Sequence, residues 1–216
     1  MEDRLMQNRM KDGTATGPAA MPAEPGGVAA ASRRPAASRR SRDGSIAWVV
    51  GRHARFDARS AALGNVLLAR SARGVCAILL GEDKALLVAE LARYFPDAVL
   101  QEDAASLAGL LADWWAFLDA PAQGFPHPLD VDGTPLQEQV WAALRAIPAG
   151  ATLTYSDLAA RVGRPLAVRA VASACAANRL AVVVPCHRVI GRSGSLTGYR
   201  WGIDRKRSLL EMEARG

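Results

Sequence analysis

The 216-residue sequence has no uninterrupted apolar run near the roughly 18 residues that a membrane-spanning helix needs. Its N-terminus also lacks the basic segment and apolar core of a secretory signal, and Glu2, Asp3 and Asp12 argue against a mitochondrial-type leader. Cysteine is scarce. Cys76, Cys175 and Cys186 are odd in number and widely spaced, which excludes a disulfide framework and a C-x-x-C zinc site. Reduced thiols, a cytoplasmic location, no bound metal and no membrane partner are therefore expected.

Apolar residues make up 50% of the chain, enough for a real core of one or two domains. The net charge of +6 is unevenly placed. Residues 151–216 carry eleven Arg or Lys against four acids, a balance of +7, so everything before them sums to −1. A basic terminal third on a nearly neutral remainder reads either as a surface facing a polyanion, nucleic acid first, or as an ordinary solvated face.

Residues 1–45 are rich in Ala, Pro, Gly, Ser and Arg, without apolar periodicity, and are expected to be a disordered basic tail. From Ser45 the runs 46–51, 65–70 and 75–80 read as strands of a small sheet, and 83–94 and 104–119 carry helical apolar spacing. The Pro- and Gly-rich stretch 121–133 reads as a linker. Beyond it Thr134-Pro135 opens a helix as cap and first residue, with Val140, Leu144 and Ile147 as its apolar stripe. Thr154 caps a short helix from Tyr155 to Val162, Gly163-Arg164-Pro165 breaks it, and a second runs from Leu166 to Ala177 with Arg169 upon it. That pair has a helix-turn-helix pattern.

The segment LAVVVPCHRVIG, 180–191, sets a Cys beside a His after what reads as a buried strand ended by Pro185. A thiol attacks only as thiolate, and His187 and Arg188 are candidates to lower its pKa. Taken alone, a Cys-His pair is more often structural than catalytic. Cys76 and Cys175, within apolar runs, read as core residues, and Trp114 and Trp115 as packing on a helical stripe.

PCHRVI, 185–190, resembles the active-site signature of the O6-alkylguanine-DNA alkyltransferases, also called methylated-DNA–protein-cysteine methyltransferases. The run 154–214 is especially similar to the repair half of the Ada-like members, and RGVCAILLGED (73–83) and 128–150 carry a fainter likeness. The resemblance implies an α/β fold: a small ribonuclease-H-like sheet domain over 46–125, then a mainly helical, winged-helix-like catalytic domain over 126–216. It also implies a function, the single-turnover transfer of a methyl or other alkyl group from O6-methylguanine, and from O4-methylthymine, in double-stranded DNA to the protein's own cysteine. No cofactor is needed for this, and a monomer suffices.

By the same resemblance Cys186 is the alkyl acceptor, His187 the base that takes its proton through a water, and Glu213 the acid that orients His187. Asn178 braces the active-site segment. Arg169 fills the space left by a flipped nucleotide, Tyr155 crowds the 3′ phosphate, and Tyr199, Arg200 and Trp201 belong to the substrate pocket. The sequence departs from the family in three places. Arg179 stands where the family usually has Pro, though Ada-like members carry a basic residue there. Residues 1–45 lack the cysteines of a zinc-bearing Ada half, so neither zinc-dependent sensing nor gene activation is expected. Arg200 and Trp201 replace the small residues of members that accept bulky O6 groups, which predicts a pocket that takes methyl and excludes benzyl.

Overall fold

A computed structural model describes residues 44–51 and 63–215, so the expectations for the first 43 residues lie outside it. Strands β1 (Ser45–Gly51), β2 (Asn65–Ser71) and β3 (Gly74–Gly81) form an antiparallel meander. A fourth strand, β4 (Val99–Glu102), pairs in parallel with β1, giving the order β3-β2-β1-β4. Val66, Leu67, Leu68 and Ala69 of β2 are all fully buried, which is why this strand reads as a continuous apolar run rather than an alternating one.

Helix α1 (Lys84–Tyr94) packs on β2 and β3, and α2 (Ala104–Asp119) packs on β1. Asp83 and Asp103 cap them, each carboxylate accepting a backbone N–H three residues on. Among the described residues no helix is long and apolar enough to cross a membrane.

The second half holds α3 (Pro135–Arg145), β5 (Leu153–Thr154), α4 (Tyr155–Arg161), α5 (Val168–Ala176), β6 (Val189–Ile190) and α6 (Ile203–Glu213). Capping boxes start two of these helices, Thr134 with Gln137 on α3 and Thr154 with Asp157 on α4. The α4–α5 corner is closed by Gly163 at φ +69° and by the Arg164 N–H on the Ala159 carbonyl at 2.9 Å. Trp141 of α3 donates its indole N–H to the Ala174 carbonyl of α5 at 2.9 Å.

The expected linker does more than connect. Its residues 128–130 run along the free edge of β3, with the Val75 N–H on the Pro128 carbonyl at 2.9 Å and the Asp130 N–H on the Val75 carbonyl at 2.8 Å. This approach needs Gly74, where a Cβ would stand 2.4 Å from the Pro128 oxygen.

The apolar run 180–184 is the clearest departure from expectation, since it is not a strand. Leu180 makes one bridge to Ile78, and the chain then turns through Val182 at φ +68°. Such a conformation costs a β-branched residue on the order of 1–3 kcal/mol and persists only when its surroundings enforce it. Asn178 does the enforcing: its amide donates to the carbonyls of Leu180 at 3.3 Å and Val184 at 2.8 Å, while its Oδ1 accepts the Leu180 N–H at 2.9 Å. Drawing both ends of the run onto one side chain converts it into a turn.

Candidate active site

Pro185 leaves the turn and Cys186 opens a single 3-10 turn, Cys186–Arg188. The parallel pairing of Leu153 with Val189 and of Thr154 with Ile190 sets the start of α4 beside it, and α6 packs against it. Cys186 is 5% exposed, and Asn178 Nδ2 lies 3.4 Å from its Sγ. Burial pushes the thiol up to about 11, while the Asn178 hydrogen bond and the Lys206 ammonium pull the other way. At rest the sulfur is a protected thiol.

His187 is wholly buried. Its Nε2 lies 2.9 Å from Glu213 Oε1, and its Nδ1 has no partner among the described residues. With Nε2–H donating to the carboxylate, Nδ1 presents a lone pair. Burial lowers the His187 pKa and outweighs the opposing pull of Glu213, so the ring is neutral at neutral pH.

Arg188 makes this possible. Its Nε and Nη2 donate to Glu213 at 2.9 Å and 2.7 Å, and its Nη1 donates to the Ile147 carbonyl. Burial would raise the Glu213 carboxyl, but the hydrogen bonds and charges of His187 and Arg188 bring it down to about 2. Gly150 N–H adds a further bond to Oε2 at 3.2 Å. Glu213 is thus a fixed anion at the end of α6.

Lys206 escaped the sequence reading. It is fully buried, and its Nζ donates to the carbonyls of Val189 at 2.5 Å and Thr197 at 3.0 Å. Within the run Asp204-Arg205-Lys206-Arg207 it reads as one charge of a solvated face. The helical spacing from Ile203 through Lys206 and Leu209 to Glu213 was the available signal, because it puts all four on one side of α6.

The remaining candidates fall into two groups. Tyr199 joins the centre: its ring centroid lies 6.4 Å from that of His187, and its buried hydroxyl has no partner among the described residues. Trp201 is buried edge-on against Tyr199 at 5.3 Å. Tyr155 is half-buried at the start of α4, its hydroxyl donating to the carbonyls of Thr197 and Gly198, each at 3.3 Å. Arg169 is exposed on the first turn of α5. Arg200 is engaged with the sheet half, pairing with Glu90 at 2.8 Å.

Fold and site together define a class: a mixed α/β protein with a buried free cysteine beside a histidine held by a glutamate. Residues 135–215 match the family model described as "6-O-methylguanine DNA methyltransferase, DNA binding domain". The chain is 50% identical over 152 residues to the bifunctional transcriptional activator/DNA repair enzyme Ada of Escherichia coli, covering 70% of this chain and 43% of that protein. It is 45% identical over 121 residues to the inducible methylated-DNA–protein-cysteine methyltransferase of Bacillus subtilis, covering 56% of this chain and 68% of that one. The structure of Mycobacterium tuberculosis OGT in complex with DNA superposes with a TM-score of 0.62 at 32% identity, covering 79% of this chain and 93% of that one. The chain belongs to the 6-O-methylguanine DNA methyltransferase family, and it spans less than half the length of the Ada proteins it matches.

Proposed function

We propose that the protein repairs DNA by moving a methyl group from O6 of guanine in a duplex onto Cys186, once per molecule. The observation that carries this reading is the histidine beside the thiol, with one nitrogen held by Glu213 and the other buried without a partner among the described residues. The names of its relatives and the DNA-bound neighbour support the substrate.

His187 Nδ1 takes the thiol proton by way of a water, and Glu213 stabilises the imidazolium that results, which is the logic of a catalytic triad with sulfur as nucleophile. Sγ then attacks the methyl carbon. The S–C bond forms as the O6–C bond breaks, and its electron pair stays on the base. Guanine gains a proton on N1, balancing the one lost by the thiol. Lys206 stabilises charge on sulfur, and the Tyr199 hydroxyl, without a partner among the described residues, offers a polar group against which a flipped guanine is held.

O6 cannot be reached inside the stack, so the nucleotide must leave the duplex. Exposed Arg169 on α5 is placed to fill its space, and Tyr155 to crowd the 3′ phosphate. Three buried free cysteines suit a reducing, cytoplasmic setting, and nothing in the chemistry needs a second copy. The test is mass spectrometry of the intact protein after incubation with an O6-methylguanine duplex. One methyl on the peptide carrying Cys186 is expected, and no transfer would overturn the reading.

A further inference from the structure

Arg200 stands between Tyr199 and Trp201, yet its guanidinium leaves the catalytic half. Nη2 and Nε donate to Glu90 Oε1 on α1 at 2.8 Å and 3.2 Å, and Nη1 donates to the Ala176 carbonyl at the end of α5 at 3.0 Å. Glu90 Oε1 also accepts the Tyr94 hydroxyl at 2.9 Å, one helical turn along. The Tyr94 ring in turn meets two cations: the Arg200 guanidinium carbon lies 5.1 Å from its centroid and that of Arg179 lies 4.8 Å away.

Two residues of one helix in the sheet half thereby hold both segments that frame the thiol. Arg179 follows Asn178, which shapes the turn before Cys186, and Arg200 is inside the loop that carries Tyr199. Charge-assisted bonds and guanidinium–ring contacts of this kind are directional, and both Glu90 and Arg200 are mostly shielded from water. The 199–201 backbone therefore cannot swing outward unless the Glu90 contact breaks. A larger O6 substituent needs that movement, because a packed site has no spare volume for ring atoms.

We propose that Glu90, outside the catalytic half, is a positioning residue that sets the size of the alkyl group accepted, by pinning the 199–201 loop through Arg200. This rests on the alkyltransferase reading above. The experiment measures two rates in each variant: methyl transfer from an O6-methylguanine duplex, and inactivation by free O6-benzylguanine. Glu90→Ala should raise the benzyl rate relative to the methyl rate by roughly tenfold, the scale of one charge-assisted contact. Arg200→Ala should give the same shift, and the double variant no more than either alone.

Glu90→Gln, which keeps the shape without the charge, should fall between the wild type and Glu90→Ala. It also serves if the alanine variant does not fold. A role in stability alone would lower the melting temperature and leave the benzyl-to-methyl ratio where it was. An unchanged ratio in a folded Glu90 variant, with the wild type active on methyl, overturns this inference alone. A wild type that transfers no methyl removes the functional reading and this inference with it.

Discussion

His187 and Glu213, 26 residues apart in sequence, meet at 2.9 Å with the imidazole fully buried, and Arg188 grips both oxygens of the same carboxylate. The glutamate thus faces one permanent cation, Arg188, and one ring that burial keeps neutral, His187. Because Arg188 already balances the anion, His187 can remain neutral at rest, and in the proposed transfer it would find a counter-charge on taking the thiol proton.

The pH response follows. The unfolded chain protonates its histidine near 6.5, whereas folded His187 resists until lower pH, so the unfolded state binds more protons and stability falls on acidification below about 6.5. Glu213, held at about 2 against an ordinary 4.5, contributes stability that is complete above 4.5 and is lost between 4.5 and 2. Urea midpoints measured from pH 7 to pH 3 should fall steadily, and methyl transfer should decline only below the range where a free histidine titrates. A rate that halves near pH 7, or a midpoint that rises on acidification, would contradict this assignment.

Arg188→Ala should cost about 3–5 kcal/mol of stability, since it leaves the Glu213 charge buried without its main partner. Arg188→Lys should recover little, because an ammonium cannot reproduce a two-pronged contact with the carboxylate while also reaching the Ile147 carbonyl. Chemical denaturation of the two variants decides it, and a loss below about 1 kcal/mol would show that the pair is only a surface-strength interaction.

Among the thiols, only Cys186 should accept the methyl. Cys76→Ser and Cys175→Ser should each still transfer one methyl per molecule, and Cys186→Ser none. A second turnover, or methyl found on either of the other two, would sink the single-acceptor mechanism.

Arg169→Ala should slow repair of a duplex far more than reaction with free O6-methylguanine base, because the role proposed for the exposed arginine is to hold open the gap left by the flipped nucleotide, not to act on the sulfur. Extrusion costs a few kcal/mol, so the duplex rate should fall at least about tenfold. Equal losses on both substrates would place Arg169 in folding or in thiol activation instead.

Trp201 packs edge-on to Tyr199, and the indole takes up space beside the site. The wild type should resist O6-benzylguanine, and Trp201→Gly should be sensitised when assayed below its melting temperature. That temperature will drop, since removing a buried indole costs about 3–5 kcal/mol. A wild type readily inactivated by the benzyl compound would end the size-exclusion argument.

Capping residues and periodicity made much of the architecture legible: Thr134 and Thr154 start helices where expected, and the three apolar runs of the sheet lie where their composition puts them. β4 was missed because Val99–Glu102 is short and mostly exposed. The 180–184 turn was misread because local preference there is for strand, and it is overruled by one side chain two residues upstream, Asn178. Lys206 was hidden because a lysine between two arginines reads as one charge of a solvated face, and only its helical register with Ile203 and Leu209 tells it apart. The resemblance to a family named Cys186, His187 and Glu213 together, and the fold brings Glu213 back across 26 residues to His187.

β3 lies at the edge of its sheet, and Ile78 in its middle donates its N–H to the Arg179 carbonyl at 2.7 Å and accepts the Ala181 N–H at 3.0 Å. Exposed strand edges are templates for aggregation, and proteins generally blunt them with charge, proline or a covering segment. Here part of the cover, beside residues 128–130, is the chain leading into Cys186. The segment that presents the thiol is therefore also a guard of the sheet: peeling it away would bare an apolar stretch of β-edge and lose the placement of Cys186 in one motion. Excising the residues before 135 would leave that segment with no edge to lie against.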